Sequence, residues 1–113
     1  MNLDQGFWRR FTKKFYEKVL ACELENNGLK VNTQVPMKIK FRDTIIDASF
    51  VAYIIVEDKI IIEVKAVTEI ANIHHQQLLT YLKLTGLKLG ILVNFNTDYI
   101  SKSIFRKVRG NLD

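Results

Sequence analysis

The chain has 113 residues, of which 48% are hydrophobic, with five glycines and one proline. That is enough apolar material for one core and too little glycine and proline for linkers or low-complexity tracts, so a single domain spanning the chain is expected. Its net charge of +5 suits an anionic partner such as nucleic acid, but suits plain solubility equally well. No run of about 18 apolar residues is present, so no membrane-spanning helix is expected. The opening residues MNLDQGFWRR lack the basic-then-apolar build of a signal peptide, and the lone Cys22 has no partner within the chain. Both features point to a reducing, cytoplasmic setting, with Cys22 read as a small core residue.

The first segment, from about Asp4 to Asn26, has the spacing of a helix. Phe7, Phe11 and Phe15 step by four, with Trp8, Val19 and Cys22 near the same stripe. Asp4 is the expected N-cap and Gly28 the stop. The opposite face carries Arg9, Arg10, Lys13, Lys14 and Lys18. Val35–Phe41 alternates as a strand, with Pro36 suggesting an edge. Ile45–Val56 and Ile60–Ala66 follow as two further strands, separated by the turn sequence EDK. Their Ile and Val content is that of strands buried on both faces. Ala71–Leu84 reads as a helix ended by Gly86, Lys88–Phe95 as a buried strand, and SIFRKV as a last, weaker one. The expected fold class is α/β, a mixed sheet of four to five strands flanked by helices, in the order α-β-β-β-α-β-(β). The helical crossover should set the fourth strand parallel to the third.

The third strand carries the chemistry. Side chains alternate along a strand, so Ile60, Ile62 and Val64 share one face while Ile61, Glu63 and Lys65 share the other. A surface ion pair at a strand end would explain the two charges and would contribute about 1 kcal/mol or less. However, the strand is apolar on both faces up to Glu63, and charges placed there are partly desolvated. Desolvation is costly unless the charges are paired or used.

These residues also carry a resemblance. VEDKIIIEVKAV followed by IHHQQLLTYLKLTGLKLGILVNF resembles the GxxExxR proteins, within the PD-(D/E)XK nuclease-like superfamily. The resemblance extends from about Phe15 to Phe95. It implies a restriction-endonuclease-like core, in which EVKA is the acidic-x-lysine element and Gln77 to Tyr81 the Gln-x-x-x-Tyr helix element. By this resemblance Glu63 would hold Mg²⁺, and Lys65 would help to activate or orient the attacking water. Gln77 would orient the lysine or touch nucleic acid. Tyr53, His74 and Tyr81 would line the site. Mg²⁺ is a hard ion that favours carboxylate and water oxygens, so the assignment is chemically sound.

The pattern breaks at two places. The family's strand-two Asp falls at Tyr53, ten residues before Glu63. A hairpin closed by EDK pairs Val56 with Ile60 and Ile55 with Ile61, and so sets Tyr53 opposite Glu63 on the same side of the sheet. The family's helix-one Glu falls at Lys13, with Arg10 where a Gly is usual. Asp47, Asp58 and Glu69 are poorly placed to substitute. His74 and His75 are adjacent on a helix, about 100° apart, and do not form a chelating pair.

Three readings follow. The chain is a degenerate nuclease relative with impaired cleavage and a weak or absent Mg²⁺ site, binding nucleic acid through Lys13, Lys14, Lys18, Lys65 and Lys102. Alternatively it is an active Mg²⁺-dependent nuclease using Glu63 and Lys65. The third reading is a non-catalytic interaction protein, for which a homo-oligomer through an exposed strand edge is the natural form.

Overall fold

The computed structural model describes residues 11–95 and 104–110. Helix α1 spans Lys13–Asn26. It starts at Thr12, whose Oγ1 accepts the Phe15 N–H at 3.2 Å, so the helix does not run unbroken from Asp4. Asp4, Phe7, Trp8, Arg9 and Arg10 lie outside the described residues. The buried stripe follows the expected one in part. Phe11 and Val19 pack on the core as their spacing implies, with Leu20 and Leu24, but the buried residue at its centre is Tyr16, and Phe15 is 37% exposed. Tyr16 stacks on Phe95 at 4.8 Å and fixes the helix to the sheet. Cys22 is exposed rather than a core residue, because it lies off the Tyr16–Leu20–Leu24 row.

The five strands are β1 (Val31–Phe41), β2 (Thr44–Val56), β3 (Ile60–Lys65), β4 (Leu89–Asn94) and β5 (Ile104–Val108). They lie side by side in chain order. β1/β2, β2/β3 and β4/β5 are antiparallel, while β3/β4 is parallel across the crossover helix α2, Asn72–Thr85. Parallel pairing requires such a crossover. Helix α2 ends at Gly86, whose left-handed φ of 82° is easily adopted by glycine. β1 begins at Val31, earlier than its alternation suggested, and occupies an edge, as Pro36 implied.

Two apolar layers sandwich the sheet. Ile54, Val56, Ile62 and Val64 meet Tyr16 of α1, while Ala52, Ile55, Ile61 and Leu92 meet Leu78 and Leu82 of α2. The strict alternation fails at one point on each of two neighbouring strands. Val31 packs on the α1 side but Val35 and Met37 on the α2 side, and Ala52 and Ile54 are divided in the same way. The break falls at Gln34, whose φ is +52°, and at Tyr53 beside it. These two residues form the gap in a register otherwise constant from Val31↔Val56 to Met37↔Phe50. The distortion decides where Tyr53 points.

Candidate functional site

The β2/β3 ladder follows the expected register and then stops. Val56↔Ile60, Ile55↔Ile61 and Ile54↔Ile62 pair, but no further pair forms between these strands. β2 continues with β1, while β3 continues with β4 to Glu63↔Leu92 and Lys65↔Asn94. A fork therefore opens beside Glu63, and groups from both helices reach it.

Glu63 is only 8% exposed. Among the described residues its carboxylate makes no hydrogen bond or close ion pair. Burial raises its pKa above the usual carboxylate range, and the negative charge of Glu17 adds to the rise. Lys65 and Lys13 oppose it. Unpaired buried carboxylates are uncommon because desolvation penalises their charge.

On the α2 side, Lys65 Nζ donates to Gln77 Oε1 at 3.3 Å. Tyr81 stands beside them, its phenol pushed to higher pKa by burial and then by Glu63, with the Gln77 side chain opposing the rise. Glu63, Lys65, Gln77 and Tyr81 are thus brought together. Gln77 and Tyr81 reach the same point because residues four apart share one helix face. His74 serves the helix itself: its Nδ1 accepts the Ala71 N–H at 2.9 Å. His75 lies edge-on to Phe105, 4.8 Å between centroids.

On the α1 side stand Lys13, Glu17 and Tyr53. The rotation at Tyr53 turns its ring away from the Ile55 face and under α1, where Lys13 Nζ lies 5.3 Å from the ring centroid. The ring is 41% exposed and lines a groove of about 760 Å³ with Lys13, Lys14, Lys18 and Glu17. The expectation that Tyr53 would face Glu63 directly across the hairpin is therefore modified. It stands at the same fork, rotated toward α1 and covered by a cation.

Glu17 is an acid that the family pattern does not single out. It lies four residues after Lys13 and next to the buried Tyr16. The helical period is the signal that could have found it. Burial raises its pKa and Lys13 lowers it. Asp58 is engaged at the far end of the hairpin, where its Oδ2 lies 2.7 Å from Lys30 Nζ. Glu69 is exposed in the segment after β3. The side chain of Asp47, on β2, lies outside the described residues. Lys102 lies outside the described residues.

A forked mixed sheet with a buried carboxylate, an adjacent lysine and a glutamine on the crossover helix defines a nuclease-like fold of the restriction-endonuclease kind. The chain superposes on the crystal structure of SSO0001 with a TM-score of 0.63 at 27% identity, covering 89% of this chain and 52% of that one. The chain thus spans about half the length of that protein. The chain belongs to the PD-(D/E)XK nuclease superfamily, whose family model matches residues 5–107. No curated protein matches it. No described helix is long and apolar enough to cross a membrane.

Nucleases of this superfamily typically use divalent metal ions. Mg²⁺ takes near-octahedral oxygen coordination and is usually held by one or two carboxylates with water and phosphate. Glu63 and Glu17 supply carboxylates, but the ammonium groups of Lys65 and Lys13 already act on Glu63. A neutral phenol, itself covered by Lys13, stands at the second-strand position. A divalent ion would enter beside two ammonium groups whose charge opposes its own. The residues present do not fit a resident Mg²⁺ ion.

Proposed function

We propose that this protein is a nucleic-acid-binding member of the nuclease superfamily in which metal-dependent cleavage is impaired or lost, and that it falls within the GxxExxR branch. The reading rests on one observation above the rest. Lys13, seated over Tyr53 and attracting Glu63, puts a cation and a phenol where a metal centre needs acids. Lys14 and Lys18 on the same helix, with Lys65 at the fork, would meet phosphates without a metal bridge. In this role Glu63 and Lys65 keep the form of a catalytic pair while Gln77 holds the lysine in place. A second reading, a metal-dependent nuclease, draws support from Glu17, which supplies a second carboxylate near Glu63.

Both readings are tested by incubating labelled DNA and RNA with the protein in chelator, Mg²⁺ or Mn²⁺, alongside calorimetric titration of each metal. The proposal expects salt-sensitive binding in chelator and no specific metal site. Metal-dependent cleavage that disappears in Glu63→Ala would overturn it in favour of the nuclease.

A further inference from the structure

We infer that the groove between α1 and the β1–β2 hairpin takes a single, unpaired nucleic-acid strand, with Tyr53 as the platform on which a base stacks. The inference rests on the nucleic-acid-binding reading above and adds the form of the ligand and the residue that recognises it.

Four observations converge. First, Tyr53 is 41% exposed, whereas Tyr16 and Phe95, the rings that anchor α1 to the sheet, are buried at 1% and 2%. Its neighbours Ala52 and Ile54 are buried at 0%, yet the Tyr53 ring is reachable from solvent, with Lys13 the group over its face. Second, that exposure is built by the backbone. The simultaneous loss of alternation at Gln34 and Tyr53, with Gln34 at a φ of +52°, turns the ring into the groove. A non-glycine residue in the left-handed region is uncommon. Third, the wall facing Tyr53 carries Lys13, Lys14 and Lys18. Two of these lysines occupy the first turn of α1, which has no acidic residue. Basic side chains there oppose the positive end of the helix dipole, so they weaken the helix start unless an anion lies against them. Fourth, the groove measures about 760 Å³, within the range of roughly 300–1,000 Å³ typical of pockets that enclose one small ligand. It has room for a nucleotide or two.

A basic groove that tracks the backbone, with an aromatic ring for the bases, is the general solution for single strands, because every base has a π-face. Lys13 already lies over the Tyr53 ring. An arriving base would exchange that cation–π contact for stacking and release the ammonium to a phosphate. Glu17 and Glu25 line the same groove and disfavour phosphate at their own positions, so the phosphates should run along Lys14 and Lys18, short of Glu25.

The test is fluorescence anisotropy with labelled single-stranded DNA, single-stranded RNA and the matching duplex, in chelator, over a range of salt. The parent protein should bind a single strand at least tenfold more tightly than duplex. Tyr53→Ala should lose about tenfold or more in single-strand affinity, while Tyr53→Phe should keep it. The double variant Lys14→Gln/Lys18→Gln should reduce the slope of log K against log salt by about 0.7 for each phosphate that is no longer neutralised. Thermal unfolding of each variant confirms that it is folded. Equal binding of duplex and single strand, or full affinity in a folded Tyr53→Ala, overturns this inference and leaves nucleic-acid binding standing. Absence of binding to all three ligands overturns both.

Discussion

Lys65 Nζ and Gln77 Oε1 meet at 3.3 Å across the gap between β3 and α2, and the same side chain lowers the pKa of the Tyr81 phenol. The glutamine therefore acts on two groups of the fork. Gln77→Ala removes the side chain that lowers the Tyr81 pKa, while burial and Glu63 continue to raise it. The tyrosine should then titrate at still higher pH than in the parent, as followed by NMR of ring-labelled protein. Unchanged titration would mean that the Gln77 side chain does not act on the phenol in solution. Loss of one ordinary hydrogen bond is worth about 0.5–1.5 kcal/mol, so the variant should remain folded.

Glu63 should weaken the fold at neutral pH. Its folded pKa is raised, first by burial and then by Glu17, despite Lys65 and Lys13. A carboxyl with a raised folded pKa binds more protons folded than unfolded, so stability falls as pH rises from the unfolded pKa through the folded one. Above that window the cost is fully present; below the unfolded pKa it vanishes. Glu63→Gln should therefore raise Tm at pH 7–8, by roughly 4–8 °C for each kcal/mol gained in a chain near this size. The gain should shrink toward pH 4. A lower Tm at pH 7 would show that attraction to the two lysines outweighs desolvation.

Much of the fold is legible in the sequence because its signals are local. The Ile- and Val-rich runs, the EDK turn and Gly86 give the strands, the hairpin register and the end of α2. The order β-α-β then leaves parallel pairing of β3 and β4 as the natural outcome. The first helix departs from its pattern for a physical reason. Phe11 packs on the core as its spacing implies, but Phe15 stacks on it at 4.3 Å and stays 37% exposed while Tyr16 takes the interior. Glu63, Lys65 and Gln77 can be placed from period alone. Tyr53 cannot, since its direction depends on a paired distortion shared with Gln34 on another strand. Neither residue type announces such a break.

Asn94 is a buried polar residue that strand periodicity does not single out. Its Nδ2 donates to Val67 O at 2.8 Å and its Oδ1 accepts the Val67 N–H at 3.1 Å, closing the chain as it leaves Lys65. At 2% exposure its loss leaves both Val67 groups without this partner. Asn94→Leu should cost about 2–4 kcal/mol, from unsatisfied buried groups and altered packing, read by urea unfolding. A cost under about 0.5 kcal/mol would show that water replaces the side chain.

Gly90 sets how closely α2 lies on the sheet. A Cβ at this position would fall 2.9 Å from Leu78 Cδ1 and 3.0 Å from Cγ, and Leu78 is itself buried at 1% exposure. Gly90→Ala should therefore destabilise by about 1–3 kcal/mol through overpacking. Leu78→Ala should cost about 2–5 kcal/mol by leaving a cavity. In the double variant the new methyl partly fills that cavity, so the combined cost should be less than the sum of the two, measured as a double-mutant cycle. Strict additivity would mean that the two positions do not share space.

The decisive variant for the fork is Lys13→Glu/Tyr53→Asp. Tyr53→Asp alone should not create a metal site, because the new carboxylate would find the Lys13 ammonium that now covers the ring and pair with it. Replacing Lys13 as well removes that cation and gathers acids at positions 13, 17, 53 and 63. Without metal the double variant should be less stable than the parent, since like charges in a partly buried site repel. With Mn²⁺ or Mg²⁺ it should regain stability in proportion to the logarithm of metal concentration over Kd, and calorimetry should show a site that the parent lacks. A parent protein that binds either ion equally well would show that Lys13 does not exclude the metal. A folded double variant that binds neither would show that the fork has lost more than these two acids.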